Sequence, residues 1–223
     1  WSRKMLVAGE WAEARSGETF EVINPANGNV IQAIPNGGRE EASRAIDAAY
    51  DAFPAWAATT AYDRSATLYR AWQLMIERKD PLARMMTEEQ GKPLRAATTE
   101  VQYAADFLLW FAEEAKRVYG ETIPSSRPDQ RFIVMHQPVG VVAAITPWNY
   151  PVSMITRKVG PALAAGCTVV LKPAEATPLC AIETFKVLEE AGVPKGVINL
   201  VTAENPAPVG EEFVTNPKVA KLT

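Results

Sequence analysis

Residues 139–175 read VGVVAAITPWNYPVSMITRKVGPALAAGCTVVLKPAE. The run 139–145 is almost wholly apolar, a helical pattern around Ile155 to Ala165 closes on Gly166, and the run from Cys167 to Leu171 is apolar again. Short segments that are apolar on both faces and alternate with helices describe βαβ units, in which a parallel sheet is buried on both sides. The rhythm continues downstream, where a helical stretch from Leu179 to Ala191 stops at Gly192 and a third apolar run covers 197–201. A doubly wound α/β fold with a parallel sheet is therefore expected. Ligands of such folds settle beyond the carboxyl ends of the strands. Those ends are Thr146-Pro147-Trp148-Asn149 and Lys172-Pro173-Ala174-Glu175, which should converge on one edge.

Upstream the pattern changes. The segment to about Gly38 holds short strand-like pieces, KMLVAG and TFEVINP, parted by turn signals such as Asn24-Pro25 and Asn36-Gly37. Ala42, Ala45, Ile46, Ala49 and Phe53 then follow the spacing of an amphipathic helix that should end near Pro54. A second stripe, Leu68, Trp72, Met75 and Ile76, breaks around Lys79-Asp80-Pro81 and resumes at Leu82, Met85 and Met86. A third passes through Val101, Ala104, Ala105, Leu108, Phe111, Ala112 and Ala115 to an expected stop at Gly120. Aromatic and Met stripes at helical spacing are read as core packing rather than as a ligand box. Over 121–137, Phe132, Val134 and His136 alternate with Arg131, Ile133 and Met135, which predicts an extended hairpin with two usable faces. His136 has no Ser, Cys or Asp partner nearby and is read as a surface or interface residue. The closing residues, Ala220-Lys221-Leu222-Thr223, read like the beginning of another strand.

With 223 residues, 48% hydrophobic and 22% charged, the chain can bury a real core, as one large domain or a domain plus an appendage. A net charge of −3 and a pI near 5.4, with Lys and Arg scattered, argue against a nucleic-acid or anionic-membrane surface. No apolar run approaches the ~20 residues of a membrane span. The start WSRKMLVAGEW lacks the apolar core of a signal peptide, so the chain is read as soluble and cytoplasmic. It opens on Trp1 rather than Met, which leaves a removed leader open. Cys167, Cys180 and a single His136 form neither a zinc set nor a disulfide scaffold, and no metal is expected.

A dinucleotide fold often carries Gly-x-Gly-x-x-Gly after a strand, and no such run occurs here. On physical grounds alone the reading stops at an α/β domain with a ligand edge. The motif TPWNYP, followed by ITRKVGPALAAGCTVVLKPAE and EEAGVPKGVINLV, resembles the aldehyde dehydrogenase superfamily. The likeness reaches back through EEQGKPL and WFAEEAKRVYGETIP and covers nearly the whole chain. Within the superfamily, MITRKVGPALAAGC is most similar to the NAD(P)-dependent succinate-semialdehyde dehydrogenases.

The resemblance implies the N-terminal part of an oxidoreductase that converts a small aldehyde to the carboxylate. In that family a cysteine thiolate attacks the aldehyde, hydride passes to NAD or NADP, and a glutamate activates the water that hydrolyses the thioester. By resemblance the nucleophile, the general base and the catalytic domain all follow Thr223, so the chain alone should not turn over. Residues 1–120 and 139–223 correspond to the nucleotide-binding domain, and 121–138 to an oligomerisation hairpin, which implies a homodimer or homotetramer. The rivals are a dehydrogenase for another aldehyde, such as glutarate semialdehyde, a hydroxyaldehyde or betaine aldehyde, and a non-catalytic nucleotide-binding or assembly module.

The same likeness assigns individual residues. Asn149 would offer its side-chain amide to the developing oxyanion; read without the family, it is a turn residue ahead of Pro151. Lys172 and Glu175 follow a buried strand, where charges need partners, and the resemblance gives them to the adenosine ribose, the alternative being a solvated ion pair. A glutamate there would repel a 2′-phosphate, which favours NAD over NADP. Thr146, Pro147, Trp148 and Ala174 would line the same cleft, and Gly210 resembles a glycine at a helix start beside the adenine, or is an ordinary helix N-terminal glycine. Arg157 would hold the substrate's free carboxylate in a two-bond fork, or is a surface helix residue. Cys167 and Cys180 are read as inert packing, although Cys180 lies just inside a helix behind Pro178, where a thiol pKa can fall. RAATTE, after KPL, departs from the acidic, glycine-bearing wording expected of the family and puts no motif residue in doubt.

Overall fold

A computed structural model describes residues 3–223; the opening Trp1-Ser2, where the leader question arises, lies outside the described residues. The chain begins with strands β1 (Met5–Val7) and β2 (Glu10–Ala12), then β3 (Thr19–Ile23) and β4 (Val30–Pro35), which pair as a separate hairpin. Four long helices follow: α1 (Arg39–Ala57), α2 (Ala61–Glu77), α3 (Lys79–Gln90) and α4 (Leu94–Glu114). A hairpin of β5 (Glu121–Pro124) and β6 (Arg131–Val134) then precedes the alternating part. That part is β7 (Val141–Ile145), α5 (Ser153–Ala164), β8 (Thr168–Lys172), α6 (Pro178–Glu190), β9 (Ile198–Leu200), α7 (Ala207–Thr215) and β10 (Val219–Leu222).

The main sheet has the order β10-β7-β8-β9-β1-β2. Strands β7 to β10 run parallel, as the apolar runs imply. The alternation inside each strand shows why both faces must be covered. Val142, Ala144, Val169 and Leu171 enter the core under α2, α4, α5 and α6, whereas Val141, Ala143 and Val170 face Ile46 and Ala49 of α1 and Phe213 of α7. Successive side chains of a strand point to opposite faces, so a sheet apolar at every position needs helices on both. The chain winds outward from β7 through β8 to β9, then returns by α7 to lay β10 on the other side of β7. The direction of winding thus reverses at β7, which makes a crevice beyond its carboxyl end.

Three details differ from expectation. The sheet is not wholly parallel: β1 and β2 extend it antiparallel, and the buried Asn199 of β9 ties them in by accepting from the Ala8 amide at 2.9 Å. Helix α1 continues past Pro54 to Ala57, because a proline in the last turn forfeits only one bond, to the carbonyl of the half-exposed Tyr50. Helix α4 ends at Glu114 with one 3-10 turn over Ala115–Arg117, not at Gly120. Gly120 is instead needed at the root of the hairpin, where a Cβ would stand 2.3 Å from the Val134 carbonyl oxygen.

Every residue of β5 and β6 is exposed, including Ile123, Phe132 and Ile133. Helices α4 and α5 pack closely, with Gly160 of α5 against Phe111 of α4; a Cβ there would lie 3.4 Å from the ring. None of the described helices is long and apolar enough to cross a membrane.

Candidate active site

The loops that leave β7 and β8 are joined at their roots, where the buried Thr146 donates its amide to the Lys172 carbonyl at 3.2 Å. Beyond Thr146 the first loop surfaces: Pro147, Trp148, Asn149 and Tyr150 are exposed, and among the described residues nothing occupies the Asn149 side-chain amide. The loop is nevertheless fixed from below. Glu100 of α4, fully buried, accepts the amides of Val152 and Ser153 at 3.1 and 3.3 Å and so satisfies the bare start of α5. Its other oxygen pairs with Lys92, whose Nζ donates to the Asn149 carbonyl at 2.9 Å and lies 4.1 Å from the centre of the Tyr150 ring. Lys92 reaches this position because Gly91 closes α3 in the left-handed region, φ +78, and turns the chain sharply.

The second loop is built in a parallel way. Lys172 ends β8 almost fully buried, and its Nζ donates to Glu175 at 2.6 Å. Burial alone would raise the Glu175 carboxyl, but the bond from Lys172, its own backbone amide and the lysine's charge together hold it below the usual range. The start of α6 is satisfied by Glu89 of α3, also buried, which accepts the amides of Leu179 and Cys180. Here burial dominates over the donors, and the Glu89 carboxyl is raised to about 7. The Cys180 thiol, fully enclosed and beside Glu89, is pushed well above its ordinary value. That position at a helix start therefore does not activate the thiol.

Two clefts open on this edge. The smaller, about 250 Å³, is lined by Trp148 and Glu175 with Ala176, Thr177, Gln90 and Pro25. Ala174 is buried behind it. Gly210 lies in the first turn of α7, which leaves the carboxyl end of β9 on the same edge of the sheet; the space where its Cβ would stand is empty for at least 4 Å. The larger cleft, about 730 Å³, lies between α4 and α5, with Tyr150 and Lys92 at one wall and Tyr103 and Arg157 at others. Arg157 is exposed, sits 5.7 Å from the Phe107 ring and has no ion pair among the described residues. Asn149 falls between Trp148 of the first cleft and Tyr150 of the second.

Lys92, Glu89 and Glu100 escaped sequence reading. A signal for the glutamates did exist: Glu89 follows Leu82 and Met86, and Glu100 follows Ala97, in phase with buried stripes. A carboxylate in register with a core face must find buried donors. His136 is exposed beside the Tyr119 carbonyl, Cys167 is buried ahead of β8, and no metal-holding group of His, Cys, Asp or Glu occurs among the described residues.

An α/β sheet whose winding reverses beside two clefts, one edged by the half-exposed Glu175 that the buried Lys172 holds and the other by an unpaired guanidinium, has the sheet edge at which α/β folds bind their ligands. Comparison with known proteins makes the class specific. Residues 11–223 match the aldehyde dehydrogenase family, and the chain belongs to it. It is 56% identical over 221 residues to a glutarate-semialdehyde dehydrogenase of Pseudomonas putida, covering 99% of this chain and 46% of that one. It is 55% identical over 222 residues to the succinate-semialdehyde dehydrogenase [NADP(+)] of Escherichia coli, with coverages of 99% and 46%. A crystal structure of an NADP-dependent enzyme of E. coli superposes with a TM-score of 0.97 at 54% identity, over 99% of this chain and 46% of that one. The chain spans about half the length of the curated relatives it matches.

Proposed function

We infer that this chain carries the cofactor edge and one wall of the substrate channel of an NAD(P)-dependent enzyme that oxidises a semialdehyde, succinate semialdehyde first, to the dicarboxylate. The observation that carries the reading is the position of Asn149, with a free side-chain amide and a clamped backbone, between two clefts of different chemistry. A donor held in advance where charge will develop is the most effective form of electrostatic catalysis. In this reading Asn149 donates to the oxyanion of the thiolate adduct. Cys167 and Cys180 are both buried, so the thiolate comes from neither.

In this reading part of a dinucleotide lies along the smaller cleft and the sheet edge beside it. Lys172 and Glu175 present a donor and an acceptor suited to ribose hydroxyls, Trp148 and Glu175 line the cleft, Thr146, Pro147 and Ala174 belong to the two loops beside it, and the open side of Gly210 admits a flat base. The bound NAD(P) supplies the hydride acceptor. Glu175, held ionised, disfavours a 2′-phosphate, and its lysine partner softens the preference, so NAD leads and NADP is accepted. In the larger cleft Arg157, without a carboxylate of its own, takes the far carboxylate of the substrate. We further assign residues 1–120 and 139–223 to the nucleotide-binding domain and 121–138 to a subunit-pairing arm, because the exposed apolar side chains of β5 and β6 suit a second copy of the chain in a homodimer or homotetramer.

The test is turnover of the full-length protein with succinate semialdehyde and with butanal, each with NAD and with NADP. Oxidation of the carboxylated aldehyde at higher kcat/KM is the expected result. Failure to reduce either cofactor, or equal use of both aldehydes, would overturn it.

A further inference from the structure

Arg95 opens the stretch RAATTE, and its side chain stands in the wall of the larger cleft. Three cationic side chains line that cleft, Lys92, Arg95 and Arg157, against one carboxylate, Glu100. The carboxylate is already spent: one oxygen takes the amides of Val152 and Ser153, and the other takes Lys92. Arg95 and Arg157 are left facing the cleft without an ion pair among the described residues. The first turn of α4, which carries Arg95, contains no acidic residue to offset it. Both are exposed at their helix surfaces, and two uncompensated guanidiniums lining one cleft raise its potential toward an anion.

We propose that Arg95 is a second anion-binding residue of this cleft, acting with Arg157 on the far carboxylate of the aldehyde, so that the pair sets the preference for ω-carboxylated over neutral aldehydes. This rests on the substrate reading above. A carboxylate has enough lone pairs to accept from two forks at once, one along each edge, whereas a neutral chain of the same length offers neither fork anything to hold. Arg157 gives the anion one anchor, and Arg95 fixes its direction across the cleft.

The test is carried out in the full-length protein with R95Q, R95K, R157Q and the R95Q/R157Q pair, using succinate semialdehyde and butanal. The ratio of their KM values should move against the carboxylated substrate about 10-fold in R95Q, the scale of one charge-assisted contact, and part of the loss should return in R95K. The double variant should lose less than the product of the two single effects, since both residues hold one group. Succinate, which cannot react, should raise the Tm of the parent protein more than that of R95Q, which reads binding without turnover. The proposal is overturned if R95Q keeps the parent KM ratio and the parent response to succinate while R157Q changes both. If the parent shows no preference between the two aldehydes, the substrate reading falls, and this inference with it.

Discussion

The loops after β7 and β8 do the same job with different electrostatics. Each leads from a strand end to a helix whose first amides need acceptors, and each finds them in a buried glutamate from an earlier helix, Glu100 for α5 and Glu89 for α6. Glu100 is partnered by Lys92, and the lysine extends the support to the backbone of Asn149. Glu89 has no ion pair among the described residues, and burial raises its carboxyl to about 7. Helix amides alone do not offset the full burial of the Glu89 carboxylate.

The largest effect should come from removing the cation. Lys92→Met leaves Glu100 buried without its counter-charge and should cost about 3 kcal/mol in urea unfolding, in the range found when one partner of a buried pair is deleted. A loss below about 1 kcal/mol would place the pair among ordinary surface bridges.

The second effect is a pH dependence with a definite sign. Between pH about 4.5 and about 7 the folded chain keeps a proton on Glu89 that the unfolded chain has released. Stability from this group is therefore greatest below that window and falls as pH rises through it, by up to about 3 kcal/mol. Unfolding curves at pH 5 and pH 8 should show the decline in the parent protein and a smaller one in Glu89→Gln; an identical decline in both would remove Glu89 as its source.

The smallest effect concerns cofactor choice on the second loop. Glu175→Gln should shift the ratio of kcat/KM for NADP over NAD upward by about 3- to 10-fold, a modest change because the side chain is half exposed and screened. No change in the ratio would leave Glu175 with the lysine alone.

The parallel strands and their helices were legible because a sheet covered on both faces must be apolar at every position, and Val141, Val142, Val169 and Val170 are. Strands β1 and β2 carried too few residues for any period to announce their direction. At the site, Trp148, Asn149, Lys172 and Glu175 stood out by their wording and by lying at strand ends. The support beneath them did not: Glu89 meets Leu179 across 90 residues and Glu100 meets Val152 across 52, and nothing local in a sequence reports such a meeting.

The larger cleft has two helices for jaws, and the close approach of Gly160 to Phe111 sets how far they open. A methyl group fits there in ordinary contact, but a valine would act as a wedge, prising α4 from α5 and spreading Arg95 and Arg157. The gauge of the cleft is thus held at a fulcrum outside it, since neither Gly160 nor Phe111 is among the residues that line it.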